Sequence, residues 1–170
     1  MDNLEVPQAT LEDLLSSVLE HKRIEDLKLY GSPKLTLIDK DGVVKDVRKY
    51  PNLIVKAGKD LISNCTGKST GQPAGAQYVA IGTGTASPTA DDTQLGAEVA
   101  RGLATYAHTA GQNTWTETYT FGAGQGTGGI TESGVLNAAS LGSLLSRQVF
   151  SVINKGGDDS LQVQWTYTIS

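Results

Sequence analysis

A run of small residues, Gly82-Thr-Gly-Thr-Ala-Ser87, follows the apolar stretch Tyr78-Val-Ala-Ile81. Glycines so placed after a strand open a dinucleotide-binding turn, in which bare backbone closes on a pyrophosphate. Here Ser87 replaces the third glycine, and Pro88 stands where the helix should already be running. No βαβ pattern surrounds the segment, so the glycines read as a tight exit from a strand. Gly67-Lys-Ser69 has the ending of a phosphate loop, but the position that needs its first glycine is Ile62. His21 and His108 lie in different regions with no partner pattern, which supports neither a triad nor a zinc site. Ser133 sits in Thr131-Glu-Ser-Gly134, which lacks the upstream glycine of a nucleophile elbow. Cys65 is the single cysteine, so an intrachain disulfide is excluded. Asp91-Asp92 and Asp158-Asp159 read as solvated loop carboxylates, with a weak Ca²⁺ site as the alternative. The expectation is no catalytic residue, no cofactor and no metal.

The informative charges are those set in apolar surroundings. Glu98 with Arg101, and Glu132 with Arg147, fall within strand-like runs. A charge buried in such a run must be paired. The expectation is one or two ion pairs that fix register at the edge of the core or across a subunit contact.

Composition limits what can position these groups. The chain has 170 residues, 38% hydrophobic and 19% charged, with 20 glycines. That profile favours short strands and many turns over a helical bundle. A net charge of −4 argues against a nucleic-acid binder, which collects phosphates on a basic patch. No apolar run approaches the roughly 18 residues of a membrane span, and the acidic N-terminus lacks a secretory layout. A soluble protein made in a reducing compartment is expected.

Residues 1–60 hold 10 of the 14 Lys/Arg and 11 of the 18 Asp/Glu. This shift places an expected boundary between an N-terminal arm at 1–50 and a β-sandwich domain at 51–170. In the arm, Thr10 can cap a helix carrying Leu11, Leu14, Leu15, Val18 and Leu19 on one face. A helix of about three turns is marginal alone in water, so its stripe must dock on its own domain or on a neighbouring subunit. Lys40-Asp-Gly42 between two β-rich runs signals a hairpin. Residues 53–62 suit a second short helix with Ala57, Leu61 and Ile62 inward, although Gly58 weakens it.

From Tyr78 onward strand-like runs recur at sandwich spacing: 78–81, 99–109, 114–121, 129–136, 144–153 and 161–169. In the last, Leu161, Val163, Trp165, Tyr167 and Ile169 alternate with polar residues, the pattern of a half-buried antiparallel strand. In 114–121 the apolar face of Trp115, Tyr119 and Phe121 is interrupted by Glu117. That strand is expected at a sheet edge, or its glutamate against a cation. The fold class expected is mainly β: an antiparallel β-sandwich or jelly-roll-like domain with an N-terminal helical arm and hairpin.

One order of short motifs goes further. It runs Ile81-Gly-Thr-Gly-Thr, a Pro/Thr/Asp loop, and Leu95-Gly-x-Glu98-x-x-Arg101. Then follow Ile130-Thr-Glu-Ser-Gly-Val-Leu-Asn137, Leu145-Ser-Arg-Gln-Val-Phe150 and Leu161-x-Val-x-Trp165-x-Tyr-x-Ile169. Over roughly residues 50–170 this resembles small structural proteins of tailed bacteriophages: capsid decoration (cement) proteins and the modules that open tail-collar fibres. The resemblance implies homo-oligomers, often trimers, on the capsid exterior over joints between major capsid subunits. It implies neither enzyme activity nor a nucleic-acid or membrane partner. A fibre module is normally followed by a repetitive shaft, whereas this sequence stops at its last strand, which favours a head decoration protein. The alternative is a tail, collar or baseplate adaptor.

Overall fold

A computed structural model of the chain describes residues 27–170. The stripe of Leu11, Leu14, Leu15, Val18 and Leu19 lies outside the described residues. In chain order the elements are β1 (Leu29–Ile38), β2 (Val44–Lys49), β3 (Leu53–Ile54), α1 (Lys56–Gly67), β4 (Tyr78–Gly82) and β5 (Glu98–Leu103). Then come β6 (Thr105–His108), β7 (Thr114–Phe121), β8 (Gly128–Leu136), β9 (Leu144–Lys155) and β10 (Ser160–Ile169). The strands form two antiparallel sheets of five, ordered β2-β1-β10-β7-β6 and β3-β9-β8-β4-β5. The protein is a β-sandwich.

The alternation of β10 organises the first sheet. Leu161, Val163, Trp165 and Tyr167 all point inward and are fully buried. Leu35 and Leu37 of β1 and Phe121 of β7 join them from the flanking strands. From the second sheet Val79, Ile81, Ile130, Val135, Leu145 and Ile153 close the core between the layers. The second sheet is also covered on its outer face. There Ala80, Leu136 and Leu144 pack with Leu95 and Val55 in a smaller apolar cluster. The loop between β4 and β5 and the start of α1 supply that cover.

Three sequence expectations shift. The hairpin is present, with Asp39 Oδ1 accepting from the N–H of Asp41 and of Val43 at 2.9 and 2.8 Å, and Gly42 at φ 82°. It does not belong to an arm. β1 pairs with β10 over ten residues, from Leu29↔Ile169 to Ile38↔Ser160, so the sandwich begins near residue 29 and not at 51. Charge misplaced the boundary because β2 is an outermost strand with mostly wet side chains, where charges are at home. Second, Leu53 and Ile54 pair with Arg147 and Ser146 as a short strand, and the helix starts at Lys56. Leu61 is buried beneath it, and Gly58 sits so close to the Leu145 carbonyl that a Cβ would collide.

Third, the run 99–109 is two strands in different sheets. The chain crosses at Ala104, whose N–H donates to the Gln77 carbonyl at 2.8 Å. Just before the crossing, Gly102 lies against the Tyr119 ring, and a Cβ there would overlap it. Gly102→Ala is therefore expected to lower unfolding free energy by about 1–3 kcal/mol through overpacking. Gly75→Ala, which meets open space, is expected to stay within about 0.5 kcal/mol of the parent. Urea denaturation of both variants checks the contrast; equal losses would contradict it.

Candidate functional site

The outer face of the second sheet carries one buried ion pair. Glu132 on β8 and Arg147 on β9 have side chains 0% and 3% exposed. Arg147 Nε and Nη2 both reach Glu132 Oε2 at 2.8 Å. Arg147 Nη1 donates to Asp92 Oδ2 at 2.7 Å, and Nη2 to the Ala86 carbonyl at 3.1 Å. Both Asp92 and Ala86 belong to the β4–β5 loop, so the guanidinium pins that loop to the sheet.

Backbone completes the carboxylate's shell. The N–H groups of Gly84 and Ala97 donate to Glu132 Oε1 at 2.9 and 2.7 Å, and that of Gly96 to Oε2 at 2.9 Å. Thr131 Oγ1 donates to the Gly84 carbonyl at 2.9 Å, fixing the loop from the next residue along β8. Gly82 and Gly84 are bare because the Glu132 carboxylate occupies the space a Cβ would need. Gly84 from the Gly-Thr-Gly turn and Gly96-Ala97 from the far end of the same loop thus cradle an anion together, as convergent N–H groups do. That anion is the protein's own carboxylate.

Titration follows from this packing. Burial pushes the Glu132 carboxyl up, but the Ala97 and Gly96 N–H groups, Arg147 and the Gly84 N–H outweigh it and hold it below the ordinary value. For Asp92 burial also raises, and bonds from Thr89 and Arg147 outweigh it to leave a lowered value. Burial lowers Arg147, yet Asp92 and Glu132 raise it on balance. All three stay charged near neutrality.

Glu98 and Arg101 form a separate pair on β5. Arg101 Nε donates to Glu98 Oε1 at 2.8 Å, and Nη1 donates to the carbonyls of Ala138 and Leu141 at 2.8 and 2.9 Å. Two anchors therefore exist, one holding the β4–β5 loop and one holding the β8–β9 loop.

The loop acids differ from expectation. Asp92 serves Arg147, and the buried Asp159 accepts from Lys45 Nζ at 2.9 Å and from the Gly156 N–H at 2.8 Å. These two are structural carboxylates, not solvated ones. Asp91 faces Lys56 Nζ at 2.6 Å in full exposure. Ser133 is buried, donating to the Ala80 carbonyl at 2.8 Å and accepting from Trp165 Nε1 at 3.2 Å. His108 lies exposed with Nδ1 2.8 Å from the Thr114 carbonyl. The structure does not bring these groups together.

Glu117 corrects the other expectation. Its strand β7 is interior, paired on both sides, with Glu117 opposite Trp165 and Tyr106. The side chain is 2% exposed, and among the described residues no cation meets it and Oε2 has no hydrogen-bond partner. Burial alone pushes its carboxyl up to about 7. Its position in the face of Trp115, Tyr119 and Phe121 marked it in the sequence. What that pattern lacked was the knowledge that a tenth strand would cover one side.

Fold and anchors together define a β-sandwich that directs most of its interior charge to holding its own loops. No family model, curated protein or solved structure matches the chain.

Proposed function

We propose that the protein is a structural component of a tailed-bacteriophage virion, a decoration protein that holds neighbouring capsid subunits together. The observation that supports this reading most is where the fold leaves apolar side chains uncovered. Among the described residues β2 and β5 are outermost strands, each with one backbone edge that no described strand pairs. β2 exposes Val44 and Val47 after Val43 in its turn, and β5 exposes Val99 and Leu103. Next to β5, Leu141 is 89% exposed at φ 54°, with its carbonyl held by Arg101. A left-handed leucine costs about 1–2 kcal/mol, and rigid apolar tips on open rims suit insertion between subunits. The β-sandwich and the motif order cited above add to the reading. Self-association and contact with a major capsid protein follow from it, on the exterior of a particle assembled in a bacterial cytoplasm.

The test is to add the purified chain to mature heads that lack it. Stoichiometric binding and greater resistance to heat or osmotic shock are expected. A few copies per virion on a quantitative gel would favour a tail or collar adaptor instead. Degradation of host glycans by the purified chain would overturn a structural role. Leu141→Asn relieves the backbone strain and is expected to raise unfolding free energy by up to about 1 kcal/mol. It is also expected to weaken attachment to heads; unchanged attachment would remove this loop from the contact.

A further inference from the structure

Beside the buried Glu117 carboxyl lies a solvent-connected cavity of about 220 Å³ between α1 and the first sheet. Leu61, Ile62 and Ala76 give it apolar walls, and Trp115 lines it next to Glu117. Thr66 and Gln77, which carry side-chain oxygens, also line it. A buried polar atom without a partner is uncommon in a folded protein, and each such atom needs a physical explanation. Protonation removes the charge but adds a hydroxyl donor, and among the described residues Oε2 has no hydrogen-bond partner. A neutral donor would satisfy the oxygen and leave the charge uncompensated. A cation does both.

We propose that this cavity is a binding site for a primary ammonium group on a slim alkyl stem, with the Glu117 carboxylate as its counter-ion. The stem lies along Leu61, Ile62 and Ala76, and Trp115 offers an aromatic surface to the cation. An ammonium has three donors, and Thr66 and Gln77 supply acceptors beyond the carboxylate. Among the described residues, the other titratable groups facing Glu117 are Cys65 on α1, Tyr106 on β6 and Tyr167 on β10, none of them cationic. The same chemistry comes from a free alkylamine or from a lysine side chain of a second copy. The inference stands whether or not the virion reading holds.

The experiment is an amide NMR titration of the full chain with n-butylamine, using n-butanol as the neutral control. At about pH 8 the carboxyl is ionised, and saturable shifts at cavity-lining residues are expected with the amine alone. At about pH 5.5 affinity should fall about thirtyfold as the carboxyl takes up its proton. Glu117→Gln should abolish the response, and so should Ala76→Leu, which fills the cavity while leaving Glu117 in place. Sedimentation velocity separates the sources. Dimers dispersed by the amine and by Glu117→Gln indicate a lysine of a second copy, whereas monomers that bind the amine indicate a free ligand. Butanol matching the amine, Ala76→Leu binding like the parent, or no shifts in a monomeric chain would each overturn the proposal.

Discussion

Arg147→Met is expected to lower unfolding free energy by about 3–5 kcal/mol, the usual result of removing one member of a buried ion pair. Glu132 would be left buried without its counter-ion, and Asp92 would lose its hold on the sheet. Many buried pairs can be replaced by apolar residues at little cost. This one should not be, because Glu132 also satisfies the N–H groups of Gly84, Gly96 and Ala97. In the double variant Glu132→Met/Arg147→Met those three donors would be orphaned in a covered site, at about 1–3 kcal/mol each. The double variant is therefore expected to be no more stable than Arg147→Met alone. Urea denaturation with tryptophan fluorescence measures both. An Arg147→Met protein as stable as the parent, or a double variant that regains parental stability, would show that the loop does not depend on the anchor.

The second large effect is a stability that falls as pH rises toward neutrality, with Glu117 as its source. In the folded protein the Glu117 carboxyl is raised to about 7 from an ordinary 4.5. Between those values the folded state holds a proton that the unfolded chain has released. Stability is then fully present below 4.5 and is lost progressively as pH climbs to about 7. Across that window the loss amounts to about 3 kcal/mol. Glu132 and Asp92 act in the opposite sense, because their folded values are lowered. Their contribution is present above the ordinary carboxylate range and is lost as pH falls through the folded values. Stability should therefore peak where the two windows meet, near the ordinary glutamate value of 4.5. Glu117→Gln should flatten the neutral-side slope and leave the acid-side slope unchanged. Denaturation curves from acid to slightly alkaline pH decide this. A Glu117→Gln protein with the parental neutral-side slope would assign the titration to another group.

Both effects arise from residues that sequence pattern marked without explaining. Glu117 interrupted an apolar alternation, and Glu132 and Arg147 lay in apolar runs. Alternation along β10 and β7 was legible because each strand has one dry and one wetter face, so period two survives in the sequence. In β8 both faces are covered over much of the strand, and the periodic signal disappears there. The crossing at Ala104 was hidden for a different reason. Residues 99–109 are β-rich throughout, and the crossing shows only in tertiary contacts, the Ala104 N–H on the Gln77 carbonyl and Gly102 against the Tyr119 ring.

Composition and alternation already required a mainly β chain with turns at its glycines, a hairpin at Asp41-Gly42, and partners for the embedded charges. The identity of those partners came from the way distant strands and loops meet. Glu132 is held by N–H groups 35, 36 and 48 residues away, and a backbone donor has no side chain to announce it. The same glycines that suggested a cradle for phosphate are bare because a carboxylate from another strand needs their space. Which anion fills such a turn depends on what the fold brings opposite it, and that is a property of strand register, not of local sequence.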